Sequence, residues 1–157
     1  MLRVLGAFLI FLCGVAGAGF LNSRARNALT QTEGFVELVR RLYAQIDCFS
    51  MPIPTALGSC PDAVLEKCGI DPGADRRTVA DLLDSCSISS AELCEVMEDF
   101  AAHIGRGYKQ EQLALCQRTL SRLEEHRALL ASRLPAKQKT NGTLCMCGAL
   151  AVVILIV

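Results

Sequence analysis

The side chains best suited to chemistry in this 157-residue chain are nine cysteines and two histidines. Cys48, Cys60, Cys68, Cys86, Cys94 and Cys116 fall in the polar middle of the chain, and Cys13, Cys145 and Cys147 in its apolar ends. No two are spaced Cys-x-x-Cys, and neither His103 nor His126 stands at ligand spacing from a cysteine pair. That pattern lacks the paired ligands of a structural zinc site. Six middle cysteines are an even number, which in an oxidising compartment would suggest disulfides. In a reducing compartment the same residues serve as small, buried hydrophobes. The topology argued below favours buried thiols.

His103 falls at the expected end of a helix, where a protonated imidazole is mildly favourable. His126 stands among Glu124, Glu125 and Arg127 on what reads as a solvated face. Glu95, Glu98 and Asp99 form an acidic cluster that a solvated helix face accounts for, with contact to a basic partner surface as the alternative. No Gly-rich phosphate loop, His-Glu-x-x-His pair or serine nucleophile elbow occurs. The sequence therefore offers no catalytic, cofactor-binding or metal-ligating residues, and a non-enzymatic protein is the expectation. Lys plus Arg and Asp plus Glu balance at 16 each, so no net field points to nucleic acid. Tryptophan is absent and only two tyrosines occur, which argues against an aromatic-lined pocket.

The elements that would hold these residues are set by hydropathy. Mean hydropathy is +0.35, raised by two uncharged ends. Val4–Leu21 would span roughly 27 Å as a helix, close to the ~30 Å hydrocarbon core of a bilayer. Ala16-Gly17-Ala18 also resembles a signal-peptidase site. The charge order favours an uncleaved anchor: Arg3 precedes the stretch, whereas Arg24, Arg26, Arg40 and Arg41 follow it. By the positive-inside rule the middle domain then stays in the cytosol. Lys137 and Lys139 precede the apolar Leu144–Val157 end and orient it the same way, which leaves both termini outside. That end would cover only roughly 21 Å, so it must thin the bilayer, lie in the interface or pack on other helices. A buried core helix is the alternative. The pairs Cys13/Gly17 and Gly14/Ala18 permit close helix packing in the first anchor. The division expected is a transmembrane helix over 1–22, a cytosolic helical domain over 23–142 and a transmembrane segment over 143–157.

In the middle domain helical periodicity dominates. Leu29, Val36, Val39, Tyr43 and Ile46 make a stripe that Phe35, Leu38 and Leu42 widen. Met51-Pro52-Ile53-Pro54 ends that helix and opens a short one stopped by Gly58. Pro61–Cys68 reads as a helix with Ala63, Val64 and Cys68 inward, and Asp71-Pro72-Gly73 as a turn. A helix is expected over Asp75–Cys86. Another opens on a capping box between Ser89 and Glu92, buries Leu93, Val96, Met97, Phe100 and Ile104, and ends at Gly105-Arg106-Gly107. From Lys109, a heptad-like seam runs through Leu113, Cys116, Leu120, Leu123, Leu130 and Leu134, with Arg127 as its exception. That arginine should pair with an acid or snorkel to water, with Glu124 as a nearby surface partner. Pro135 is expected to break or kink this helix. The fold class is thus all-α, a small helical bundle between two membrane helices.

The arrangement resembles the stage III sporulation protein AB family of endospore-forming bacteria. The resemblance rests on the Leu-Gly opening Met1–Ala7, on Ile46 with Pro52-Ile53-Pro54-Thr55-Ala56-Leu57, on Gly105 with Gln110-Glu111-Gln112-Leu113 and Leu123-Glu124-Glu125, and on the closing Gly148–Val157. Thr55 stands where the family carries an acidic residue. The resemblance implies a bundle similar to the cytosolic domains of type II secretion F-type platform proteins. It also implies a mother-cell membrane scaffold in the channel linking mother cell and forespore, meeting that complex's cytosolic ATPase. No catalytic residues or cofactors are implied. The competing expectation is a secreted, disulfide-bonded helical module released behind Ala18.

Overall fold

In the computed structural model, residues 23–133 are described in full, and at the two ends only the helix bounds are described. The order is α1 (Leu2–Phe49), α2 (Ile53–Gly58), α3 (Asp62–Cys68), α4 (Val79–Asp84), α5 (Ala91–His103) and α6 (Lys109–Ile156). No strand occurs among the described residues. The chain divides into two compact units, Met1–Asn27 with Leu130–Val157, and Ala28–Leu129. The expected membrane segments 1–22 and 143–157 lie outside the fully described residues, as does the small-residue spacing around Cys13 and Gly17. Among the described residues no helix is long and apolar enough to cross a membrane. The following concerns Ala28–Leu129.

The α1 stripe forms as its spacing requires. Phe35, Val36, Leu38, Val39, Leu42 and Ile46 are buried, while Leu29 and Tyr43 are half-buried at its edges. Against it pack Leu57 of α2, Leu65 of α3, Leu82 of α4, Leu93, Met97 and Phe100 of α5, and Leu123 of α6, in one continuous core. Burying each such side chain stabilises the fold by roughly 1.5–3 kcal/mol.

Gly34 sets the approach of α1 to α3. A Cβ there would lie 2.8 Å from the Cys68 peptide nitrogen and 2.8 Å from the Lys67 carbonyl carbon. Only glycine permits that spacing. One turn on, Glu37 receives Arg41 at 3.1 Å and Lys67 at 3.2 Å, and these two hydrogen bonds hold its carboxyl below the usual range.

The short helices end where their local chemistry says. Pro52 caps α2, with Pro54 in its first turn. Gly69 closes α3 in the left-handed region (φ 78°), and Ile70 donates back to the Leu65 carbonyl at 2.9 Å. The expected turn at Asp71 is present, with Gly73 donating to its side chain at 2.9 Å. Arg76 clamps this loop, reaching Cys60 O at 3.1 Å, Pro72 O at 2.8 Å and Asp62 at 2.6 Å.

Several expectations are corrected. Asp75–Cys86 is not one helix: α4 begins only at Val79, because Thr78 forms a reciprocal capping box with Asp81. The box expected at Ser89 and Glu92 is absent; α5 is capped by Ser90 without a side-chain bond, and Ser89 is engaged elsewhere. Ala63 is exposed, and Val64, Leu65 and Cys68 face the core instead. The α6 helix continues through Pro135, so the break expected there does not occur. The α6 seam holds at Leu113, Cys116, Leu120 and Leu123 and departs at Arg127, whose place His126 takes. Cys116, Thr119 and Leu123 are buried and His126 is nearly so, whereas Arg127 is exposed. Glu124 pairs with Arg40 of α1 at 2.8 Å rather than with Arg127.

Candidate functional site

Five helix ends converge at one end of the bundle: the last turns of α1 and α5 and the first turns of α2, α4 and α6. Between them lies a cleft of about 620 Å³. Its floor is apolar, built from Ile46, Ile53, Val79, Ala101 and Ile104. Chain reversals shape it. Ser50 leaves α1 with φ 50°, Gly105 leaves α5 with φ 81° and Gly107 enters α6 with φ 90°. Left-handed geometry at the two glycines turns the chain back within a few residues at little steric cost.

The charge at this cleft is one-sided. Arg77, Arg106 and Lys109 line it, and no carboxylate does. Arg77 leans 3.2 Å from the exposed Asp75. Lys109 donates to the Asp47 carbonyl at 2.6 Å, a bond that leaves its positive charge uncompensated. Among the described residues, the exposed aromatic side chains Phe49 and Tyr108 adjoin cleft residues Ser50 and Lys109 in the chain. The result is an apolar floor with a cationic rim. It can take an anionic, partly apolar group.

A second cleft of about 420 Å³ shares Ala80, Ala101 and Arg106 with the first and is lined by Leu83, Cys86, Ile88, Cys94 and Glu98. Here Glu98 accepts the Cys94 thiol at 3.1 Å, and that bond raises the thiol pKa.

The residues singled out in the sequence do not gather into a reactive site. His103 ends α5, exposed, with Nδ1 2.8 Å from the Asp99 carbonyl. Glu95 and Asp99 face Arg122 of α6 at 4.0 and 3.8 Å, and with Glu98 they lie on an exposed helix face. His126 is not on a solvated face: its side chain is 10% exposed and its Nδ1 sits 3.0 Å from Glu92. Glu92 itself is 71% exposed. This acid–histidine pair borders neither cleft.

All six described cysteines are free thiols. Cys60, Cys68 and Cys116 are buried, Cys86 and Cys94 partly so, and Cys48 is exposed. Burial pushes Cys60, Cys68 and Cys86 up, and Cys116 up to about 11. Among the described residues no cluster of His, Cys, Asp or Glu could hold a metal ion.

The cationic rim escaped sequence reasoning because its members come from two separate connections, the approach to α4 and the α5–α6 turn. Gly105-Arg106-Gly107 reads simply as a helix stop, and only the fold sets Arg77 beside Arg106 and Lys109. Six of the residues on which the resemblance rests, Ile46, Pro52, Ile53, Pro54, Gly105 and Gln112, line the cleft, whereas residues 55–57, Gln110, Glu111, Leu113 and residues 123–125 do not. The chain matches no protein-family model, no curated protein and no solved structure.

Proposed function

We propose that this chain is a non-enzymatic, protein-binding scaffold whose helical bundle presents the cationic cleft to a partner. Terminal segments 1–22 and 143–157 hold it in a membrane, with the bundle in the cytosol and both termini outside. The specific setting proposed is the stage III sporulation channel between mother cell and forespore, with the cytosolic ATPase of that complex as the partner. One observation carries this reading. Six motif residues of the resemblance, drawn from α1, the start of α2, the end of α5 and the start of α6, line one cleft with an apolar floor and a cationic rim.

Deleting the gene in its host tests the setting. Arrest of sporulation after engulfment, reversed by the intact gene, is expected; normal spores overturn it. The membrane placement has its own test in Cys48, the exposed thiol among the described cysteines. An impermeant maleimide should miss it in sealed cells and label it after lysis. Labelling in sealed cells, together with a mature mass lacking the first 18 residues, would favour the secreted module instead.

A further inference from the structure

We propose that the cleft between the ends of α1, α4, α5 and α6 binds an acidic segment of a partner protein, one carrying carboxylates beside apolar side chains. This rests on the scaffold reading above and names the chemistry of what the scaffold holds.

Charge and shape converge on that occupant. Arg77, Arg106 and Lys109 rim a cleft that no carboxylate of this chain lines. Among the described side chains Arg106 has no acid within pairing distance, so its guanidinium is available for a bidentate carboxylate contact. A fully ionic ligand would leave the floor of Ile46, Ile53, Val79 and Ile104 unsatisfied, and a fully apolar one would desolvate the rim cations without compensation. A chain that alternates acidic and apolar side chains meets both demands.

Phe49 and Tyr108 decide between a small anion and a polypeptide. They are 74% and 82% exposed, beside the cleft in the chain, where aromatic side chains commonly anchor protein interfaces. An ion or metabolite seated in the cleft has no use for them. A segment crossing the cleft can lie against them as it leaves.

The test uses full-length protein in detergent micelles and a fluorescein-labelled peptide of alternating Glu and Leu, read by fluorescence anisotropy. Saturable binding that weakens with added salt is expected. Arg106→Glu and Lys109→Glu should each weaken it by about tenfold or more, the scale of a lost charge-assisted contact plus repulsion. Arg118→Glu, a charge reversal on the exposed face of α6, should leave it unchanged. Circular dichroism of each variant checks that the bundle is intact. A Gln-for-Glu peptide binding equally well, or Arg118→Glu weakening binding as much as Arg106→Glu, overturns the proposal. So does displacement of the peptide by inorganic phosphate at constant ionic strength, which would assign the cleft to a small anion. If the peptide does not bind while gene deletion still arrests sporulation, the cleft assignment falls and the scaffold reading stands.

Discussion

Glu92 Oε2 stands 3.0 Å from Nδ1 of His126, joining the first turn of α5 to α6. The carboxylate accepts a hydrogen bond from Nδ1–H, and the opposite nitrogen, Nε2, is buried with no hydrogen-bond partner. An unmade buried bond is costly, by roughly 1–3 kcal/mol. The Glu92 contact is largely solvated and contributes only about 0–1 kcal/mol. His126→Leu should therefore leave stability unchanged or raise it by about 1 kcal/mol. Urea denaturation at pH 7 measures this, and a loss above about 2 kcal/mol would show that Nε2 is satisfied after all.

Gly34 and Gly58 predict opposite outcomes for one substitution. Alanine is favoured over glycine in a helix by up to about 1 kcal/mol. At Gly58 nothing lies within 4 Å of the added Cβ, so Gly58→Ala should stabilise. At Gly34 the new carbon meets backbone atoms at 2.8 Å, so α1 and α3 must separate. Gly34→Ala should destabilise by about 1–3 kcal/mol despite the better helix propensity. Equal melting shifts for the two variants would refute the close approach.

The thiols give a pH dependence. In the folded chain Cys116 is raised from an ordinary value of 9.0 to about 11, and Cys60, Cys68 and Cys86 are also raised, all by burial. Above the unfolded value the unfolded chain sheds thiol protons that the folded chain keeps. Unfolding stability must then fall as pH rises past 9 and keep falling to about 11. Cys116→Ala should flatten that slope while lowering stability at pH 7 through the lost packing. Disulfide reagents at pH 8 should find Cys48 first and Cys68 and Cys116 only after unfolding.

Thr78 tests a boundary. Its side chain accepts from the Asp81 amide at 3.1 Å, and Asp81 accepts from the Thr78 amide at 3.1 Å. Thr78→Ala should cost about 1 kcal/mol, and Ser89→Ala should not fray α5, since Ser89 does not cap it. Faster amide exchange through the first turn of α5 in Ser89→Ala would reverse that assignment.

The parts of the fold legible in the sequence were those written in local periodicity. Val36, Val39 and Ile46 mark a buried face by spacing alone, and Gly69 and the two prolines of α2 mark ends by backbone geometry. What escaped depends on partners far along the chain. Ser89 and Thr78 both head sequences with capping-box spacing, and only the buried amide of Gln31 decides between them by taking Ser89. The seam of α6 was legible as far as Leu123, and the inward place of His126 escaped because His126 and Arg127 are adjacent residues about 100° apart around a helix. The cleft escaped for the same reason as Gly34: both exist only where separate elements meet.

Gln31 carries a consequence for the order of events in folding. Its amide donates to the Cys68 carbonyl at 2.8 Å and to the Ser87 carbonyl at 3.0 Å, and its oxygen accepts from the Ser89 amide at 2.9 Å and from the Ser89 hydroxyl. A turn tied to a residue 58 positions earlier cannot close until the intervening chain has collapsed. The linker between α4 and α5 should thus lock late, as the latch on a bundle already assembled. Gln31→Ala should speed unfolding far more than it slows folding.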